Sequence, residues 1–155
     1  MENAQFTQLV AQAGPLDDKI MEIAQLAEEG AGWVARFEQI DVRIENLIEA
    51  RKIGFSVAFD GPAEDLAADF FRAMLAANAL WRQNGGLRFA LGSDDNLIEL
   101  SVELAAADVT ARDIALYCRG LAEHAATWML ILQGQVGTED EGGISPDFNP
   151  DFIRL

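Results

Sequence analysis

The chain predicts an α+β domain: an antiparallel sheet of about five strands packed by three to four helices, in the order α(α)βββαββα. Three observations predict it. The apolar residues change period from 3.6 to 2 and back again along the chain. The period-two runs come in a group of three and a group of two, which favours antiparallel pairing over strands alternating singly with helices. Half of the 155 residues are hydrophobic, enough to build one core in a chain of single-domain size.

Phe6, Leu9, Val10 and Ala13 follow i, i+3, i+4, i+7 and predict a short helix over residues 3–13. Gly14-Pro15 stops it and starts a second helix. Asp17 and Asp18 stand where a helix dipole favours acids, Ile20, Ile23, Leu26 and Ala27 continue the spacing, and Gly30 ends it. Three alternating runs follow: Trp33, Ala35 and Phe37; Ile40, Val42 and Ile44; Ile53, Phe55, Val57 and Phe59. Asp60-Gly61-Pro62 closes the third and opens a helix, with Glu64 and Asp65 near its start and Arg82 near its end. Asn84-Gly85-Gly86 breaks that helix. Leu87, Phe89 and Leu91, then Ile98, Leu100, Val102 and Leu104, form a hairpin around the turn Gly92-Ser93-Asp94-Asp95-Asn96. From about Asp108, Ile114, Tyr117, Cys118, Leu121, Ala125, Trp128, Met129 and Leu132 mark one face of a long helix. Thr110 and Asp113 have the spacing of a capping box. The folded domain is expected to span residues 1–132, with residues 133–155 an acidic, disordered tail.

The helix after Pro62 carries more apolar surface than one core uses. Leu80, Ala73, Leu66, Ala77, Phe70, Trp81, Met74, Ala67, Phe71 and Leu75 fill an arc of roughly 220°, where a surface helix needs about 100°. A second copy of the chain is the expected cover. The residues expected at that interface are Phe71, Leu75 and Asn78, with Met74 and Trp81 in the middle of the arc.

Charge excludes one class of partner. The 26 acids outnumber the 11 bases, and residues 1–132 alone hold 21 acids against 10 bases. Such a surface repels phosphate backbones, so nucleic acid is not an expected partner. No apolar run approaches the ~20 residues of a membrane span, and the N-terminus lacks a signal-peptide pattern. A single cysteine suits a reducing compartment, so a cytoplasmic location is expected.

Chemistry is sparse. His124 is the only histidine, too few for a usual zinc site, and reads as a residue at the edge of the last helix's apolar face. Cys118 falls inside that face and reads as a buried structural thiol. The two are six residues apart, so they do not share a helix face. Asp17-Asp18, Glu28-Glu29, Glu64-Asp65 and Asp94-Asp95 read as solvated surface acids. Asp94-Asp95-Asn96 lacks the length and terminal Glu of a calcium loop. Neither G-x-G-x-x-G nor a Walker loop occurs. No catalytic residue, metal or cofactor is expected. In the tail, Ser145-Pro146-Asp147-Phe148 is echoed by Asn149-Pro150-Asp151-Phe152, either a docking motif or two incidental apolar residues.

Together these segments resemble the class I type III secretion chaperones, the CesT or Tir-chaperone-like family. The resemblance runs from Trp33 to Leu132. It rests on WVARFE, IDVRIE and IGFSVAFDG, the helix DLAADFFRAMLAANAL, the hairpin LRFALGSDDNLIELSVEL, and ARDIALYCRGLAEHAATWMLIL. It implies a cytosolic homodimer without ATPase activity that binds the N-terminal region of a secreted effector in extended form, by hydrophobic patches and sheet-edge pairing. It also implies that the helix between the third and fourth strands joins the dimer interface. Effector contacts would then fall on Phe6, Leu9, Val10, Trp33, Val42 and Ile44. The family has one N-terminal helix before the first strand, whereas this chain shows two helical stretches around Gly14-Pro15. The alternative is a protein of the same fold that regulates or stabilises partners without serving secretion.

Overall fold

A computed structural model describes residues 1–26, 32–63, 67–92 and 97–133. The architecture is α+β. Helix α1 (Asn3–Ala13) leads through a 3₁₀ turn (Gly14–Leu16) to strands β1 (Glu22–Gln25), β2 (Trp33–Arg36), β3 (Asp41–Leu47) and β4 (Lys52–Asp60). Helix α2 (Ala67–Ala79), strands β5 (Arg88–Leu91) and β6 (Leu97–Ala105) and helix α3 (Ala111–Leu132) complete it. The six strands form one antiparallel sheet in the order β1-β2-β3-β4-β6-β5. β1 and β5 are its two edges.

Alternation puts Ala35, Val42, Ile44, Ile53, Phe55, Val57, Ile98, Leu100 and Val102 on one buried face. Helix α3 covers that face with Ile114, Cys118, Leu121, Ala125 and Trp128, and α1 adds Phe6, Val10 and Ala13. The Tyr117 ring stacks on Phe55, with centroids 5.5 Å apart. The opposite face is polar and carries exposed ion pairs such as Arg36–Glu22 and Lys52–Glu103. The capping box at α3 forms: Asp113 N–H donates to Thr110 Oγ1, and Thr110 N–H donates to Asp113 Oδ2 at 2.8 Å.

Two expectations change. The second N-terminal helix is instead a 3₁₀ turn followed by strand β1, which raises the strand number to six. The cause is local. Lys19 N–H donates to the Asp17 carboxylate at 3.0 Å, and Ile20 N–H donates to the Asp17 carbonyl at 3.2 Å. A short polar side chain that satisfies nearby backbone competes with helix propagation. One α-helix therefore precedes the first strand. The helix expected from Pro62 carries no helical turn at residues 61–63 and ends at Ala79, so Arg82 lies in the following turn. Glu28, Glu29 and Gly30, Glu64, Asp65 and Leu66, the turn at 93–96, and the tail from Gly134 lie outside the described residues.

The turn after α2 explains Asn84-Gly85-Gly86. The buried Asn84 amide donates from Nδ2 to the Ala77 carbonyl at 3.0 Å and so satisfies an end-of-helix acceptor. Gly85 and Gly86 then take φ of +68° and +88°, where a side chain would be strained.

Candidate protein-binding surface

The two ends of the sheet differ. At the β5 end, Phe89 N–H donates to Asn78 Oδ1 at 2.8 Å, and Asn78 Nδ2 donates back to the Phe89 carbonyl at 2.9 Å. Alternate residues of an antiparallel edge strand direct both backbone groups outward. Asn78 therefore occupies both groups of Phe89 on the free edge of β5. Helix α2 lies along that edge, with Phe70 and Met74 turned into the core. The Phe70 ring meets Trp128 edge-on at 5.7 Å, and Phe89 meets Trp128 at 4.7 Å.

Away from the core, α2 presents Phe71 and Leu75, the latter 70% exposed. Leu91 shares a sheet face with Phe89 by the period of two yet is 67% exposed, whereas Trp128 packs against Phe89. Asp69 and Arg72 pair beside this stripe and neutralise each other at 2.9 Å. Trp81 is exposed in the turn, with the Arg82 and Arg88 guanidiniums over its ring. Of the five residues expected at a dimer interface, Phe71, Leu75 and Trp81 are exposed, Asn78 is half-buried on β5, and Met74, at 5% exposure, belongs to the chain's own core.

At the β1 end, Leu16 and Met21 are 58% and 70% exposed beside the edge strand. The loop that carries them is held by Asp17, whose buried carboxylate meets Arg119 of α3 at 3.2 Å. No side chain is hydrogen-bonded along β1's outer edge among the described residues in the way Asn78 meets β5. Of the residues to which the resemblance assigned effector contacts, Phe6, Val10, Val42 and Ile44 are buried beneath the chain's own elements. Leu9 and Trp33 are half-buried and packed against the core. Periodicity singles out core faces, so it found those four, placed the exposed Leu91 on the core side of its strand with Leu87 and Phe89, and passed over Leu16 and Met21. Their only signal is being apolar where no helix or strand neighbour can cover them.

The titratable groups fit structural roles. Burial, with a smaller contribution from the Asp17 charge, pushes the Cys118 thiol far above its ordinary range, so it is not a thiolate near neutral pH. Burial lowers the His124 pKa, partly offset by Glu123. Among the described residues, no group of three or more His, Cys, Asp or Glu could hold a metal ion, and no helix is long and apolar enough to cross a membrane.

No protein-family model matches the chain, and no curated protein matches its sequence. Solved structures do match. The complex of ExsC with ExsE aligns at a TM-score of 0.61 with 21% identity, covering 85% of this chain and 97% of that one. The Yersinia pestis type III secretion chaperone SycH, in complex with a fragment of YscM2, aligns at 0.60 with 18% identity over 79% and 98%. The chain has the fold of the type III secretion chaperones. YbjN from E. coli, a putative transcription regulator by its description, shares the fold at a TM-score of 0.56 and 15% identity, over 87% and 92% of the two chains. In this fold, α2 and β5 expose Phe71, Leu75 and Leu91 at one end, and the loop beside β1 exposes Leu16 and Met21 at the other.

Proposed function

We propose that the chain is a cytoplasmic type III secretion chaperone. As a homodimer it would bind the N-terminal segment of a secreted effector in extended form and keep it soluble. The observation that carries this reading is the contrast between the two sheet edges. Asn78 occupies the Phe89 backbone on the β5 edge, whereas β1 meets no such side chain among the described residues, and this favours β1 as the edge on which an extended segment can add a strand. Leu16 and Met21 beside β1 offer contacts for its apolar side chains. The stripe of Phe71, Leu75 and Leu91 at the far end is the dimer face, so pairing and effector binding do not compete. The acidic remainder keeps the loaded complex soluble. This is binding without chemistry.

The test is affinity capture of the tagged chain from its own cells under secretion conditions. The reading expects a secreted protein whose N-terminal region suffices for capture. Leu16→Asp/Met21→Asp would lose it, with the oligomeric state unchanged. Capture that survives this double variant moves the effector site elsewhere, and recovery of no secreted protein overturns the chaperone reading. The second reading, a regulator of cytosolic partners, is supported by the shared fold of YbjN. It expects a partner that is never exported.

A further inference from the structure

We infer that Trp81, Arg82 and Arg88 form a docking site for the chain's own C-terminal segment, through its repeated Asp-Phe pairs. This inference stands independently of the chaperone reading. In a chain of formal charge −15, Lys19, Arg36, Arg43, Lys52, Arg72 and Arg119 are each in an ion pair. Arg82 and Arg88 are in none among the described residues. Both converge on one exposed indole, at 5.0 and 5.3 Å from the Trp81 centroid. Two guanidiniums within cation–π reach of one ring repel each other and concentrate positive potential there. Among the described residues Arg51 and Arg112 also lack ion pairs, but neither lies over an aromatic ring there.

The matching chemistry is in residues 134–155. They carry Glu139, Asp140, Glu141, Asp147 and Asp151 against one base, Arg154. Asp147-Phe148 and Asp151-Phe152 offer two carboxylates for two guanidiniums, each with a ring to lie against the indole.

Reach fits as well. Helix α3 ends at Leu132, one turn beyond Trp128, which packs on Phe70 of α2 and Phe89 of β5. The C-terminal end of α3 therefore lies on the side of the fold that holds the site. Trp81 is eleven positions beyond Phe70, about 16 Å along a helix axis. Thirteen residues lie between Gln133 and Asp147, and even a random coil of that length averages about 20 Å end to end, enough to cover the distance.

The experiment uses the full-length, ¹⁵N-labelled chain and reads the heteronuclear NOE of the Phe148 and Phe152 amides together with the Trp81 indole resonance. The expected result is restrained amides in the wild type. They would fall to the values of a free peptide of residues 143–155 in both Arg82→Gln/Arg88→Gln and Asp147→Asn/Asp151→Asn, with the Trp81 resonance moving in both. Unchanged Trp128 indole resonances would establish that the fold is intact, and the aspartate variant alters no described residue. Wild-type amides as mobile as the free peptide, or amides indifferent to both double variants, overturn the inference.

Discussion

The Asp17 carboxylate is buried, accepts a hydrogen bond from Lys19 N–H and meets Arg119 on α3, so one side chain both turns the chain out of α1 and ties that turn to the helix layer. Removing one partner of a buried pair strands the other, although the Arg119 side chain is about one-third exposed and water screens part of the loss. We expect Asp17→Ala to lower unfolding stability by about 2 kcal/mol in urea titration, whereas Glu22→Ala, whose pair with Arg36 is exposed, stays within about 0.5 kcal/mol. Equal losses would remove the special role of Asp17. His124 makes a pH prediction. Its folded pKa lies below the ordinary 6.5 because burial disfavours the imidazolium. The unfolded chain then binds more protons between the two values, so stability falls as pH drops through 6.5. Between pH 7.5 and 5.5 the urea midpoint of the wild type should fall more than that of His124→Gln. Parallel pH profiles would show that His124 contributes nothing to the slope.

At the scale of elements, α2 does two things with two faces. Phe70, Met74 and Ala77 complete the core, and Asn78 occupies the Phe89 backbone on the β5 edge. An uncovered edge is a template for unwanted pairing, and a side-chain amide across it is one way to blunt it. Asn78→Ala should cost about 1–3 kcal/mol, the sum of two ordinary hydrogen bonds. It should also speed hydrogen exchange of the Phe89 amide while leaving the β6 amides protected. An unchanged Phe89 rate would mean the edge is protected by something else. The elements themselves were mostly legible in sequence. Strands β2 to β6 and helices α1 and α3 follow from periods of two and 3.6, and the α3 cap from Thr110 and Asp113. β1 was not, because Ile20 and Ile23 also satisfy a helical spacing and the choice rests on pairing with β2.

At the scale of the whole molecule, the exposed stripe on α2 sets the expected assembly. Leu75 makes little contact with its own core, so Leu75→Glu should leave the fold intact by circular dichroism and convert a dimer to a monomer in light scattering. A buried charge at such an interface costs several kcal/mol. A dimer that persists places the contact elsewhere. Met74→Glu, by contrast, should unfold the subunit, because that side chain lies in the core.

The candidate surface was legible only in part. The excess arc on α2 pointed to Phe71, Leu75 and Trp81, since apolar residues beyond a helix's own core need are visible from spacing alone. Met74 and Asn78 lie in the same arc, but one faces the sheet and the other an edge strand, and that division depends on where β5 is placed. Leu16 and Met21 had no periodic signal at all. Sequence by itself determined the α+β class, the acidic surface and which faces are apolar, because these depend on residues close together in the chain. Only the tertiary structure decided that β6 lies between β4 and β5, that β1 is a strand, and which edge strand Asn78 meets, because each depends on partners brought together from distant segments.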